Sequence, residues 1–398
     1  MYLSKEEEAL LNGERGEAKA KALKALIEIG EALGAERLVN VEWVHISGIS
    51  YKNIGDSGLK FIKELVEYGA FFSVRTTLNP AGMDLNRWQE MGIPEAFAYK
   101  QLEVTRALIS MGAEPTFSCV PYLLGSVKEG SQVAWGESNA VLYANSVLGA
   151  LTNREASVLT LLEAITGKAP LIGLRLREFR KPTVLVEFDS RVLREVSKGN
   201  YPYSLLGYCL GKVVERGVPY LRGFKIPKRE LKNFLAGLGA SSSIGLIIIE
   251  GLSPDAKYLG SEDLRGLDKV SLSSGEVEEC KEEFYNALSE VDAVVLGCPH
   301  LSEEELREIL EVLKYAKRRP SDRLILFTSK PIGRNLKRKL ESLRGVGAEL
   351  YFDTCMVVCP LRYMNIRSVA TDSAKAAYYL SSQGVKVLLL PRRRLLGI

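Results

Sequence analysis

Histidine is nearly absent from this 398-residue sequence, with two in all, and cysteine is sparse, with six. Six thiols in so long a chain cannot form the disulfide scaffold of small secreted domains, and the paired CxxC or HxxxH spacing of structural zinc sites is missing. No apolar stretch reaches the roughly 20 residues needed to span a bilayer. No N-terminal segment combines a basic start, an apolar core and a small-residue cleavage site. The chain is therefore expected to be soluble and cytoplasmic, with its thiols reduced. Charge of one sign is also lacking: Lys+Arg 53 against Asp+Glu 49 leaves a net +4, which gives no global field for nucleic acid or an acidic membrane surface. Local basic runs at Lys317-Arg318-Arg319, Lys337-Arg338-Lys339 and Arg392-Arg393-Arg394 read as solvated faces, with phosphate contact as the alternative.

What is present is a large apolar fraction, 46%, in a chain long enough for two or three domains. The spacing predicts an amphipathic helix from Ala18 through Leu23, Ile27, Ile29 and Leu33, ended by Gly34. Strands and helices then alternate. "RLVNVEWVHISG" reads as one strand, "DSGLKFIKELVEYGA" as a helix capped by Asp56 or Ser57, "FFSVRTTLNP" as a strand, and residues 94 to 111 as a helix. "PTFSC" follows as a short strand, and "SNAVLYANSVLGALTN" as a helix capped by Ser138. Residues 165–285 are less regular, with strands at "PTVLVEF" and "SSIGLIIIEG" around the Gly- and Tyr-rich "GNYPYSLLGYCLG". From 286 onward the pattern is clearest. Strands "DAVVLG", "RLILFTS", "AELYFDTCMV" and "KVLLLP" are spaced by helices, one of them opened by a Ser302/Glu305 capping box. Such spacing requires crossover connections and hence parallel, doubly wound sheets. The expected units are 1–164, 165–285 and 286–398, all α/β.

In open parallel sheets the strand carboxyl ends form the ligand crevice. Those ends carry Gly48-Ile49-Ser50, Asn79-Pro80, Cys119, Cys298 and Cys355. Three converging thiolates would suit an iron-sulfur cluster whose fourth iron stays open as a Lewis acid; spacing alone equally allows ordinary buried thiols. "AWGESNAV" places Glu137 and Ser138 at a helix start, where free N–H groups favour an anion, and "TDSAKAAYY" does the same with Ser373 and Lys375. Both also read as plain helix caps. His45 is a catalytic candidate or a satisfied strand histidine, and His300 either tunes a cluster or begins a loop.

Taken together and in order, "HISGISYKNIGDSG", "TLNPAGMD", "FSCVPYL", "AWGESNAVLYANSVLGA", "GCPH", "DTCMVVCPL" and "TDSAKAAYY" resemble the aconitase X family over nearly the whole chain. "AWGESNAV" and "DTCMVV" are the most specific segments. The resemblance implies an aconitase-like, multi-domain α/β fold with the active site at a domain interface. It also implies a hydro-lyase that dehydrates (R)-5-phosphomevalonate to trans-anhydromevalonate 5-phosphate in the archaeal mevalonate pathway of isoprenoid biosynthesis. The implied cofactor is a 4Fe-4S cluster, carried here onto Cys119, Cys298 and Cys355. Cys359 falls where a small residue is expected and reads as packing. Ser373 and Lys375 are then the catalytic candidates, with Gly48, Ile49, Ser50, Asn79, Pro80, Glu137 and Ser138 facing the substrate. In split members of the family a serine base comes from a separate small subunit, a swivelling domain. A heterodimer, or a higher assembly of heterodimers, with a partner of about 100–150 residues is therefore expected. The missing CxxC separates this chain from citrate-isomerising aconitases. A cis-3-hydroxy-L-proline dehydratase of the same family and a non-catalytic α/β scaffold are the alternatives.

Overall fold

The computed structural model describes residues 1–284, 290–313, 321–336 and 347–397. The basic runs at 317–319 and 337–339 lie outside the described residues.

The first part of the chain contributes β1 (Leu38–Asn40), β2 (Trp43–Ile46), β3 (Arg75–Leu78), β4 (Val133–Trp135) and β5 (Lys168–Pro170). The last three strands before β5 form a parallel sheet of order β3-β2-β4, while β1 pairs antiparallel with β5. "RLVNVEWVHISG" is thus two strands in two sheets and not one. At the break the Val41 N–H goes to Gly167 O and the Glu42 N–H to Gln132 O, so the partner changes mid-run. The next helix is Tyr51–Glu67, capped by Ser50 and not by Asp56 or Ser57; Gly55, at φ 59°, interrupts it. The "PTFSC" strand is absent. That segment is extended and stitched to β3 by Leu78 N to Thr116 Oγ1 (2.9 Å) and Ser118 N to Leu78 O (2.9 Å), with a single bridge at Glu114.

The middle of the chain forms a parallel sheet of order β8-β7-β6-β9 from β6 (Val184–Phe188), β7 (Pro219–Leu221), β8 (Ile248–Ile249) and β9 (Lys269–Leu272). The Gly- and Tyr-rich stretch is a buried helix, Tyr203–Val214, packed on the helix Leu231–Ser241. Its glycines make that approach possible: a Cβ on Gly207 would sit 1.9 Å from the Phe234 carbonyl oxygen, and one on Gly237 would sit 1.9 Å from Ser204 O. Because backbone cannot yield as a side-chain tip does, Gly207→Ala is expected to cost about 3 kcal/mol or more and to lower Tm by about 5 °C in a thermal melt. A shift under about 1 °C would show that these helices can part freely.

The last part forms the sheet β12-β11-β10-β13-β14, parallel throughout, from β10 (Ala293–Leu296), β11 (Leu324–Thr328), β12 (Ala348–Phe352), β13 (Ser368–Thr371) and β14 (Lys386–Leu389). Ser302 and Glu305 form the expected reciprocal cap, at 3.2 and 2.8 Å. Arg392, grouped in the sequence with solvated basic residues, is instead paired with Asp372 (2.6 Å) and Glu305 (2.8 Å). Among the described residues no helix is long and apolar enough to cross a membrane.

Candidate active site between the first and last sheets

The first and last parts of the chain meet along a seam that places the candidate residues. Ala81 bridges to Thr354, and its N–H donates to Asp353 O at 2.8 Å. Ser50 Oγ donates to Val358 O (3.0 Å), and Lys52 Nζ donates to Val357 O (3.1 Å) and Cys359 O (3.3 Å). The turn carrying Cys355 and Cys359 is therefore gripped from the opposite sheet.

Cys119, Cys298 and Cys355 converge here from three separate segments. β12 ends at Phe352, so Cys355 stands in the turn beyond it and not in a strand. Cys298 follows β10 after Gly297, where φ is +114° and a Cβ would come within 2.3 Å of Phe327 O; only glycine permits that close turn. Cys119 is fixed by its carbonyl, which accepts from Asn139 Nδ2 at 2.7 Å, while Asn139 Oδ1 accepts from the Tyr122 hydroxyl at 2.7 Å. The His300 N–H donates to Cys119 Sγ (3.3 Å), and the His300 Nε2–H donates to Thr354 O (2.7 Å). His300 thereby ties all three cysteine segments together, more than the loop start read from the sequence. Cys119 lies close enough to Cys355 and Cys298, and Cys298 to Cys355, that ionising one thiol would make the next harder to ionise.

Burial pushes all three thiols up, Cys298 to about 12, against the pull of Lys375. At Cys355 the N–H groups of Val358 and Val357 also oppose the burial. A metal binding here must displace protons. The three are 6–7% exposed, whereas Cys359 is sealed at 0%, faces Lys52 and Cys355, and packs in the core. Cys209 and Cys280 lie against each other in the middle part of the chain.

Beside the thiols, Lys375 and Glu137 form a buried ion pair across the seam. Lys375 is no surface residue. Glu137 also accepts from Asn79 Nδ2 (3.1 Å) and from the Asn139 N–H (3.4 Å); it, and not Ser138, caps the helix Ser138–Tyr143. Burial disfavours the Glu137 carboxylate, but Lys375, Asn79 and the Asn139 N–H outweigh it and hold the group at about 2. Burial likewise opposes the Lys375 charge, and Glu137 more than compensates, so its affinity for the proton rises above the ordinary lysine value. Ser138 Oγ lies 3.5 Å from Lys375 Nζ. Ser373 caps the helix Ala374–Ser382 through the Ala376 N–H (3.1 Å), and its hydroxyl bonds Cys298.

Asn79, Glu137, Ser138, Ser373 and Lys375 therefore gather with the cysteines, and Ser50 touches their turn. Ile49 does not join them: its side chain packs in the core of the first sheet, and Gln101 Nε2 takes its carbonyl at 3.1 Å. Gly48 sits against Ser157, and Pro80 is buried beside the Ala81 bridge. Sequence reading missed Lys52, Thr77 and the link between His45 and Asn79. The one available signal was strand periodicity, since His45 and Thr77 are register partners on adjacent parallel strands and Asn79 shares the face of Thr77.

Three family models cover almost all of this architecture: the aconitase X first domain matches residues 1–178, the second 182–282 and the third 291–396. The chain belongs to the aconitase X family. Its relatives include the phosphomevalonate dehydratase large subunits of five archaea. That of Methanothermobacter thermautotrophicus is 39% identical, covering 96% of this chain and 94% of the relative. The crystal structure of Thermococcus kodakaraensis aconitase X in its holo form superposes with a TM-score of 0.88 at 37% identity, covering 98% of this chain and 97% of that one. The cis-3-hydroxy-L-proline dehydratase of Pseudomonas aeruginosa is 36% identical over 94% of this chain but only 65% of its own length.

Proposed function

We propose that this chain is the catalytic large subunit of a hydro-lyase that removes water from (R)-5-phosphomevalonate, giving trans-anhydromevalonate 5-phosphate. The observation that carries this reading is end-to-end identity with the archaeal large subunits, at 36–39%. The hydroxyproline enzymes align over only 65% of their length.

Cys119, Cys298 and Cys355 are the residues that would hold a 4Fe-4S cluster. Two buried polar atoms beside them, His300 Nδ1 and Thr354 Oγ1, have no hydrogen-bond partner, which supports a bound group at this place. Among the described residues no three His, Cys, Asp or Glu are gathered tightly enough for a single metal ion. A cluster that offers a different iron to each thiol does not need that closeness. When bound, such a cluster supplies an open iron as a Lewis acid for the poor tertiary hydroxyl leaving group.

The chain's own residues bind and orient. Lys375, kept charged by Glu137, takes an anionic group of the substrate, with the Ser138 hydroxyl beside it. Ser373 donates to Cys298 and steadies it as a ligand. Glu137 is committed to Lys375 and Asn79, so proton removal falls to the partner, the small subunit that the relatives' name "large subunit" implies. That subunit, read as a swivelling domain, closes the site as a heterodimer or a higher assembly of heterodimers, and the enzyme works in the cytoplasm.

The test is a substrate comparison with the anaerobically reconstituted two-subunit enzyme. (R)-5-phosphomevalonate is expected to be dehydrated with kcat/KM at least about 1000-fold above cis-3-hydroxy-L-proline, which shares the carboxylate but lacks the phosphate, since a site built to bind a polar group strongly rejects an analogue without it. The opposite preference would assign the chain to the hydroxyproline branch.

A further inference from the structure

Behind the Lys375–Glu137 pair runs a buried chain of hydrogen bonds reaching back into the first sheet. Trp43 Nε1 bonds Thr77 Oγ1 (2.8 Å), Thr77 Oγ1 bonds His45 Nδ1 (2.8 Å), His45 Nε2 bonds Asn79 Oδ1 (3.3 Å), and Asn79 Nδ2 bonds Glu137 Oε2 (3.1 Å). His45 and Thr77 are completely buried.

Chemistry at the two ends favours one direction for the links between them, with the Ser118 carbonyl as a further acceptor beside the His45 ring. An ionised carboxylate only accepts, so Asn79 must turn its NH₂ toward Glu137 and its carbonyl toward His45. His45 must then carry its proton on Nε2. Burial depresses the affinity of His45 for a second proton, to about 4, so the ring is neutral and Nδ1 is an acceptor. At the other end the indole N–H of Trp43 only donates, so Thr77 receives it and spends its own hydroxyl hydrogen on Nδ1. Thr77 has a second acceptor in Val44 O, but at 3.4 Å it is the longer contact. All donors point one way, and the line ends on the carboxylate that holds Lys375.

We infer that His45 is a positioning residue for the reaction: by presenting Nε2–H to Asn79 it locks the amide orientation that aims Glu137 at Lys375 and stations the ammonium across the seam. The opposite tautomer would draw the NH₂ of Asn79 toward His45 and turn its carbonyl on Glu137, setting two acceptors against each other and loosening Lys375. This inference rests on the proposal that Lys375 binds an anionic group of the substrate.

The chain has only two histidines, so a ¹⁵N-histidine spectrum of the full-length protein reports two rings, and the His45 signals are those lost in His45→Gln. The expected state at pH 7 is a neutral ring protonated on Nε2. A ring protonated on Nδ1, or a charged one, would overturn the inference. This measurement uses no substrate, so it stands or falls separately from the reaction assigned above.

Kinetics of the reconstituted two-subunit enzyme supply the second readout. His45→Leu is expected to raise KM at least about 10-fold with kcat within about threefold, because a misplaced binding cation weakens ground and transition state alike. His45→Gln, which offers an N–H near the position of Nε2, is expected to recover most of that loss. A fall in kcat of about 100-fold or more at unchanged KM in both variants would make His45 a proton-transfer group. Unchanged kinetics in both would reduce the hydrogen-bond line to packing. Either result overturns the inference.

Discussion

Cys119→Ser, Cys298→Ser and Cys355→Ser are each expected to lose bound iron and acid-labile sulfide and to lower kcat by at least about 1000-fold, whereas Cys359→Ser keeps both. The size follows from the chemistry: Lewis-acid activation of a tertiary hydroxyl is worth several kcal/mol, and each 1.36 kcal/mol is about a tenfold change in rate. The contrast between Cys355 and Cys359 is the informative part. The two thiols are one helical turn apart, yet Cys355 is 6% exposed and lies near Cys119 and Cys298, while Cys359 is sealed and turned toward Lys52. Serine at 359 replaces one small buried group with another, so stability changes modestly and cluster content does not. Iron and sulfide analysis of anaerobically reconstituted protein separates the outcomes. Loss of iron in Cys359→Ser with retention in Cys355→Ser would exchange the two assignments.

Glu137→Gln is expected to cost about 100-fold or more in kcat/KM at pH 8 and to make activity fall as pH rises from 7 to 9. The size reflects the about 3–5 kcal/mol at stake when one partner of a buried ion pair is removed. In the wild-type protein burial works against the Lys375 charge and Glu137 restores it, raising the pKa above the ordinary lysine value. The carboxylate itself titrates at about 2, so the pair is intact throughout the working range. With glutamine at 137 burial, the largest influence, is opposed only by the lesser attractions of Cys298, Tyr379 and Cys119. It lowers the lysine pKa, so the proton is shed as pH rises and the anion-binding charge goes with it. The wild type is expected to show no such alkaline limb between pH 7 and 9. A pH profile of the variant parallel to that of the wild type would show that the Lys375 charge does not bind substrate.

The last sheet was legible in the sequence because each strand is a short apolar run between polar, periodic helices, and the Ser302/Glu305 cap marks one helix start directly. The middle was harder. Gly207 and Gly237 look like helix breakers, but they are there because two helix backbones touch, a tertiary reason that outweighs local propensity. β1 and β2 read as one strand because the change of hydrogen-bond partner at Val41 and Glu42 leaves no mark in the apolar pattern.

For the site, reading strand ends found Cys298. Cys119 arrives differently, on an extended segment held by side-chain and backbone bonds to Leu78. The pairing of Glu137 with Lys375 spans 238 positions, and that of Arg392 with Glu305 spans 87. Each is an ordinary charged residue in its own neighbourhood, and only the fold shows that they are buried together.

The most direct measurement mixes (R)-5-phosphomevalonate with the anaerobically reconstituted chain and its small subunit and follows the product by mass spectrometry, after iron and sulfide have been shown to be stoichiometric. The expected result is trans-anhydromevalonate 5-phosphate, one water lighter than the substrate, formed by the two subunits together and by neither alone. Unchanged substrate in the presence of a complete cluster and both subunits would contradict the proposed dehydratase function.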